Sequence, residues 1–246
     1  TYLKNAVPLT TVVSEYNEGS KQILAAVNGD WMSWANSVAS GSVTSNYRVS
    51  FSSMIADGEI WCSQMTSYEQ NADFFTFGVT TDRQVVIGKP KIQTTIKNVT
   101  KGTSYTATGI NRAPANNTLT VFNNRLNDSN YVNTDAYEVV LQTSDNRIMN
   151  GGTLTGTVKA IYNAGTTSRG KLDSNTVVIT ARGSKISTIS GKFAVGNTVT
   201  ISTSIYDSYG NNDKWAKVDE AIGGQCLVMK DGSINNDLSG GSSDNY

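Results

Sequence analysis

Short runs rich in β-branched and aromatic residues, each closed by turn formers, recur along this chain and narrow what it can fold into. Gln84–Gly88, Thr118–Phe122, Tyr137–Thr143, Thr157–Tyr162, Thr176–Ala181 and Thr198–Ser202 are dominated by Val, Ile, Thr and Tyr, residues that suit a pleated, half-buried surface. Asp57-Gly58, Gly151-Gly152 and Asp231-Gly232 punctuate them as turns. Helical patterning is confined to Thr11–Gln22, Trp31–Ala39 and Asp213–Ile222, all short. Proline occurs only at Pro8, Pro90 and Pro114, so no proline-rich linker divides the chain. The pattern predicts one α+β domain over residues 1–246, with a large, mainly antiparallel sheet and a few short helices. The low-complexity end, Asp237–Tyr246, has no apolar anchor, and residues 233–246 read as a flexible tail.

Composition removes several chemistries. The 20 basic and 20 acidic residues cancel, and 16% of residues are charged, which argues against nucleic acid or an anionic membrane as main partner. No stretch is apolar enough to span a bilayer, so membrane insertion is not expected. Roughly a third of the chain is Ser, Thr or Asn, a neutral hydrogen-bonding surface of the kind found on extracellular and carbohydrate-handling β proteins. There are no histidines. That excludes Ser-His and Cys-His nucleophile systems and every His-containing metal site. Only an oxygen-ligated cation such as calcium or magnesium fits such a chain; no loop has calcium-site spacing, and no cofactor is expected. Cys62 and Cys226 read as a disulfide in an oxidising compartment or, preferably, as two buried thiols. Asn98, Asn116 and Asn127 open Asn-X-Ser/Thr sequons, which matter only in a secreted eukaryotic protein.

Several segments end an apolar run on polar, turn-forming residues, which delivers those residues to the rim of a core. Ala25-Ala26-Val27-Asn28-Gly29-Asp30-Trp31 is the first, and Gly109-Ile110-Asn111-Arg112 the second. Val177-Val178-Ile179-Thr180-Ala181-Arg182-Gly183-Ser184 runs a strand into an Arg-Gly turn. Phe193-Ala194-Val195-Gly196-Asn197 has the form of a hairpin turn. Ala221-Ile222-Gly223-Gly224-Gln225-Cys226-Leu227-Val228 sets a flexible Gly-Gly between a helix-like segment and a strand, closing on Asp231-Gly232. Each has a structural reading too. Asn28-Gly29 is also a hairpin signal, and Asp30 also an N-cap for Trp31–Ala39. Arg112 before Ala113-Pro114 reads equally as a solvated loop residue, while Arg182 and Gly223-Gly224 suit turns. Trp31 and Trp34 suit sugar stacking or the core. The acidic pairs in Asp57-Gly58-Glu59 and Asp219-Glu220 read as solvated.

Taken in order, these segments resemble the phosphodiester glycosidase family, which includes the mannose-6-phosphate uncovering enzyme and bacterial relatives. The resemblance lies in Ala-Val-Asn-Gly-Asp-Trp, Ile-Asn-Arg, the strand-to-Arg-Gly turn, the Val-Gly-Asn turn, and Ile-Gly-Gly with a following Leu-Val and Asp-Gly; it runs from about Ile23 to Gly232. It implies a secreted or cell-surface hydrolase of a sugar-1-phosphodiester, typically N-acetylglucosamine linked through phosphate to another group. The leaving phosphate monoester is already a stable anion, so protonating it matters less than in ordinary glycoside cleavage. The site must instead hold phosphate charge and activate water or supply a carboxylate nucleophile. On this resemblance the catalytic set is Asp30, Asn28 and Arg112, with Asp30 as base, nucleophile or metal ligand. Arg112 and Arg182 would grip phosphate oxygens, Asn28 and Asn111 would orient sugar hydroxyls or the acetamido group, and Gly223 and Gly224 would let backbone N–H groups approach the phosphate.

The family continues past the Gly-Gly strand into an Arg-Thr-Ala segment, further strands and a Leu-Asp-Gly-Gly-Gly-Ser motif. Leu238-Ser239-Gly240-Gly241-Ser242-Ser243 lacks that Asp and comes too early to be its equivalent. The expectation is therefore a fragment, a cleavage product or half of a split domain, with a second polypeptide covering an exposed strand edge. The alternative is a non-catalytic carbohydrate-binding or structural β-rich surface domain, which the same neutral surface would serve. Convergence of Asn28, Asp30, Asn111 and Arg112 on one pocket would favour the enzyme.

Overall fold

In the computed structural model of the chain, the described residues are 9–16, 32–34, 48–50, 52–64, 75–112, 115–125, 135–166, 172–224, 229–230 and 233–234. In chain order the elements are α1 (Leu9–Tyr16), β1 (Met32–Trp34), β2 (Arg48–Ser50), β3 (Met54–Ala56), β4 (Glu59–Cys62), β5 (Phe75–Thr80), β6 (Val85–Gly88), β7 (Pro90–Asn98), β8 (Thr103–Ala107), β9 (Gly109–Ile110) and β10 (Leu119–Phe122). There follow β11 (Tyr137–Thr143), β12 (Thr153–Tyr162), β13 (Thr176–Ala181), α2 (Ser184–Ile189), β14 (Thr198–Asp207), α3 (Asn212–Trp215), β15 (Val218–Gly224), β16 (Met229–Lys230) and β17 (Ser233–Ile234). Eight strands form one sheet in the order β8-β7-β14-β12-β11-β13-β10-β9, and five form another in the order β4-β3-β15-β5-β6. All neighbours with a defined register are antiparallel except β9 and β10. The fold is thus β-rich and mainly antiparallel, with short helices.

Alternation decides which strands face water. Along β7, Pro90, Ile92, Thr94, Ile96 and Asn98 are buried while Lys91, Gln93, Thr95 and Lys97 are exposed, the period of two expected of a sheet with one solvated face. Strands β10 and β13, toward the β9 end of the sheet, are buried at every position, so both faces of the sheet are covered there. Val139, Leu141, Val177, Ile179 and Val121 pack on one side with Ile189, Phe193 and Trp215. Val140, Val178 and Phe122 pack on the other with Cys62 and Leu172. Cys62 behaves as a small apolar side chain, its Sγ 3.8 Å from the Ser52 carbonyl; Cys226 lies outside the described residues.

Tyr137–Thr143 and Thr176–Ala181 are strands over the expected spans, while β12 and β14 run longer than read. Two helix expectations are corrected. Met32–Trp34, inside the expected helix Trp31–Ala39, is a strand whose Met32 and Trp34 pair with Ser50 and Arg48. Within Asp213–Ile222 the helix makes one turn, Asn212–Trp215, and the chain then enters β15. The spacing of Trp215, Val218 and Ala221-Ile222 satisfies a helix, but Ala221 and Ile222 are instead paired with Gly78 and Phe77. The ladder outweighs weak local propensity. The expected helix Thr11–Gln22 is Leu9–Tyr16, and residues 17–22 lie outside the described set.

Turn readings sort likewise. Asp57 and Gly58 both have positive φ, 52° and 69°, as a two-residue hairpin between β3 and β4 requires. Val195-Gly196-Asn197 is a turn but not a hairpin: it links α2 to β14, with Gly196 at φ 88° and its N–H donating to the Val158 carbonyl at 2.9 Å. Ser233–Ile234, the start of the expected tail, pairs with β16. The Asn98 sequon is closed to modification, because Asn98 is fully buried and its Nδ2 donates to the Lys192 carbonyl (3.0 Å) and Asn197 Oδ1 (2.9 Å). Asn116 is exposed, and Asn127 is outside the described residues.

Candidate functional site

Strand β9 delivers Asn111 to a junction between the two sheets. Its backbone is left-handed (φ 50°), which Asn tolerates better than most residues, and its N–H donates to the Val121 carbonyl at 2.8 Å. Asn111 Nδ2 donates to the Trp61 carbonyl of β4 (2.7 Å) and to Asn123 Oδ1 (2.8 Å), and the Asn123 N–H returns a bond to Asn111 Oδ1 at 3.0 Å. Asn123 Nδ2 then donates to the Asn146 carbonyl (3.0 Å), and Asn146 Nδ2 reaches Asn124 Oδ1 (3.0 Å) and the Asp173 carbonyl (2.5 Å). Three buried asparagines thereby satisfy one another and the loops at the end of β10, as buried amides must.

Arg112, next in sequence, turns inward. It is fully buried, with Nη1 donating to the carbonyls of Ser50 and Ser63 (3.3 Å for the latter). Gly109 makes room for it: a Cβ there would lie 2.9 Å from Arg112 Cγ. Arg112 is therefore neither a solvated loop residue nor a group that meets solvent; it braces backbone carbonyls. Arg182 lies elsewhere. Its N–H bonds to the Thr118 carbonyl at 3.0 Å, just before β10, whereas Asn111 bonds to Val121 within it, so about 10 Å of extended chain separates the two attachments. The Arg182 side chain is nearly buried, 3.6 Å from the Asp135 carboxylate.

Gly223 and Gly224 are not a flexible loop. They are strand residues of β15 paired with Thr76 and Phe75, in the sheet rather than around a ligand. Asn28 and Asp30 lie outside the described residues. Of the expected site, then, the structure joins Asn111 and Arg112 by sequence adjacency, separates Arg182, and puts the two glycines in a ladder.

A second cluster beside Asn123 escaped the sequence reading. Glu59, expected to be solvated, is buried at the start of β4. Arg125 grips it with Nε on Oε1 (2.8 Å) and Nη2 on Oε2 (2.5 Å), and Arg147 adds Nε on Oε2 at 3.2 Å. The Arg125 N–H is held by Asn123 Oδ1 at 3.1 Å, and its guanidinium lies 5.1 Å from the Trp61 ring centre. An isolated bridge between Glu59 and Met149 brings the Arg147 loop alongside β4. The available signal was a Glu opening an otherwise apolar strand, Glu59-Ile60-Trp61-Cys62. On β15, which lies beyond β3 in the same sheet, Glu220 is exposed, as expected; partial desolvation still pushes its carboxyl above the usual range, the bond from the Asp57 N–H (3.1 Å) opposes that, and the Asp57 and Asp219 charges add to it. Among the described residues no group of three or more His, Cys, Asp or Glu is placed to hold a metal ion, and no helix is long and apolar enough to cross a membrane.

No protein-family model and no curated protein matches the sequence. Solved structures share its fold, among them the following two. A hypothetical protein from Synechocystis superposes with a TM-score of 0.69 at 15% identity over 99% of this chain and 38% of its own. A "Putative exported protein" from Burkholderia pseudomallei K96243 gives 0.59 at 12% identity over 89% of this chain and 43% of its own. The chain thus spans less than half the length of either structure, and at these identities the likeness is one of fold.

Proposed function

We propose that the chain is a hydrolase of the phosphodiester glycosidase type, cleaving an N-acetylglucosamine-like sugar from phosphate in a secreted or cell-surface glycoconjugate or polymer. The observation that carries this reading is the place of Ile110-Asn111-Arg112. One of the ordered segments that resemble the family ends a strand at a buried polar junction of both sheets, beside two arginines on one carboxylate. Amides fixed by mutual hydrogen bonds give such a junction a defined geometry without any histidine. The Burkholderia neighbour described as a "Putative exported protein" and the neutral Ser/Thr/Asn surface support a location outside the cell. Asp30 is the carboxylate assigned to base or nucleophile, with Asn28 beside it. Activity surviving chelation with EDTA is the expected result; activity lost on chelation and restored by calcium or magnesium would assign an oxygen-ligated cation instead.

Release of N-acetylglucosamine from a sugar phosphodiester tests the reading, comparing wild type with Asp30→Asn. Turnover falling by about a hundredfold or more in the variant supports it; unchanged turnover removes Asp30 from the mechanism. Arg112→Ala is not informative about chemistry, because it would open the packing around Ser50 and Ser63. One observation favours the alternative, a non-catalytic carbohydrate-binding or structural surface domain: Asn111 and Arg112 both spend their polar groups inside the protein. Wild-type chain that binds the diester without turning it over would decide for that alternative.

A further inference from the structure

We infer that Arg125 and Arg147, clamped side by side on Glu59, form an anion site that takes the phosphate group of this substrate. The ligand's identity rests on the sugar-phosphodiester reading; the site itself rests on geometry. Arg112 and Arg182, the arginines expected from the sequence, are themselves buried, Arg112 on backbone carbonyls and Arg182 3.6 Å from the exposed Asp135 carboxylate. Arg125 and Arg147 keep 28% and 39% of their side chains exposed while both set a nitrogen on the same oxygen, Glu59 Oε2. Their guanidinium groups therefore lie close together, on side chains that both keep part of their surface toward solvent.

Both are held before any ligand arrives. Glu59 is buried beneath them, Trp61 backs Arg125, and the Asp57 carbonyl accepts Arg147 Nη2 at 3.2 Å. Fixing long side chains in advance lowers the cost of binding, and the planar fork of arginine matches phosphate oxygens two at a time. The three charged groups together carry one net positive charge. Asp57 and Asp145 flank Arg147, Asp145 through its carboxylate on the Arg147 N–H at 3.0 Å. Attraction from a distance is thus weak, and the site selects by short, directed contact. The bond from the Arg125 N–H to Asn123 makes the site continuous with the asparagine cluster around Asn111.

Calorimetric titration of the full chain with N-acetylglucosamine 1-phosphate, inorganic phosphate and N-acetylglucosamine tests this, on wild type, Arg147→Gln, Arg147→Lys and the exposed-turn control Arg83→Gln. The phosphate-bearing probes should bind, weaken about tenfold or more in Arg147→Gln, recover partly in Arg147→Lys, and be unchanged in Arg83→Gln. Wild type that binds no phosphate, or Arg147→Gln and Arg147→Lys that bind it as wild type does, would overturn the site. Phosphate binding lost in Arg147→Gln by a protein that hydrolyses no sugar phosphodiester upholds the site and removes the function. Hydrolysis with an unaltered KM in Arg147→Gln upholds the function and removes the site.

Discussion

Asn111 combines a left-handed backbone with a reciprocal amide pair, and the two contributions separate by substitution. Asn111→Gly keeps the backbone and loses the bonds to Trp61 and Asn123, whereas Asn111→Ala adds strain at φ 50°. We expect about 2 kcal/mol of destabilisation for Gly and about 3 for Ala in urea unfolding; equal costs would show that strain plays no part. Glu59→Gln removes the charge that gathers two guanidinium groups, and should cost about 3 kcal/mol by the same measurement. A loss below about 1 kcal/mol would mean the group behaves as a surface pair. The two residues differ in legibility. Asn111 was readable because a strand ending on polar residues marks itself locally. Glu59 follows Asp-Gly as any solvated turn residue might, and its partners lie 66 and 88 positions away in sequence.

Among the elements, the turn after β13 shows how tightly a connection can be specified. Gly183 has φ 55° and ψ −131°, a region essentially restricted to glycine. A Cβ there would meet Asn116 Oδ1 at 2.2 Å and Asn117 Oδ1 at 2.3 Å, and Asn117 Oδ1 accepts the Ser184 N–H that opens α2. Gly183→Ala should cost about 3 kcal/mol or more and lower Tm accordingly; an unchanged Tm would contradict the geometry. The β3–β4 hairpin against β15 gives a pH-dependent case. Partial desolvation of the exposed Glu220 side chain, with Asp57 and Asp219 nearby, raises its carboxyl. Its ionised form is therefore unfavourable in the folded state, and stability it withholds at neutral pH returns as pH falls through its raised value. Glu220→Gln, which keeps an acceptor for the Asp57 N–H, should raise Tm slightly at pH 7 and lose that advantage at acid pH. A gain that persists in acid would point to another cause. Strand identity was legible in β11 and β13, whose β-branched runs admit one assignment. It was not in β15, whose apolar spacing fits helix and strand alike until β5 supplies the ladder.

The sheet class of the whole molecule follows from alternation and composition, but strand order does not. Bringing β14 beside β7 and β15 beside β5 is decided by which faces bury together, information spread over the entire chain. One face stays apolar and solvated: Ile222, Phe77 and Ile87 form a cross-strand row on the five-stranded sheet, each more than 40% exposed, with Val85 at its end. Such a patch binds hydrophobic dyes. Phe77→Gln should reduce ANS fluorescence while costing less than about 1 kcal/mol; undiminished fluorescence would place the dye elsewhere. The proposed reaction breaks the bond between the anomeric carbon and the phosphate oxygen. Turnover of a sugar phosphodiester in water carrying heavy oxygen, read by mass spectrometry of both products, tests it most directly. A glycosidase must place the heavy oxygen in the released sugar, since water attacks the anomeric carbon. Heavy oxygen in the phosphate product, or no turnover, would contradict the account.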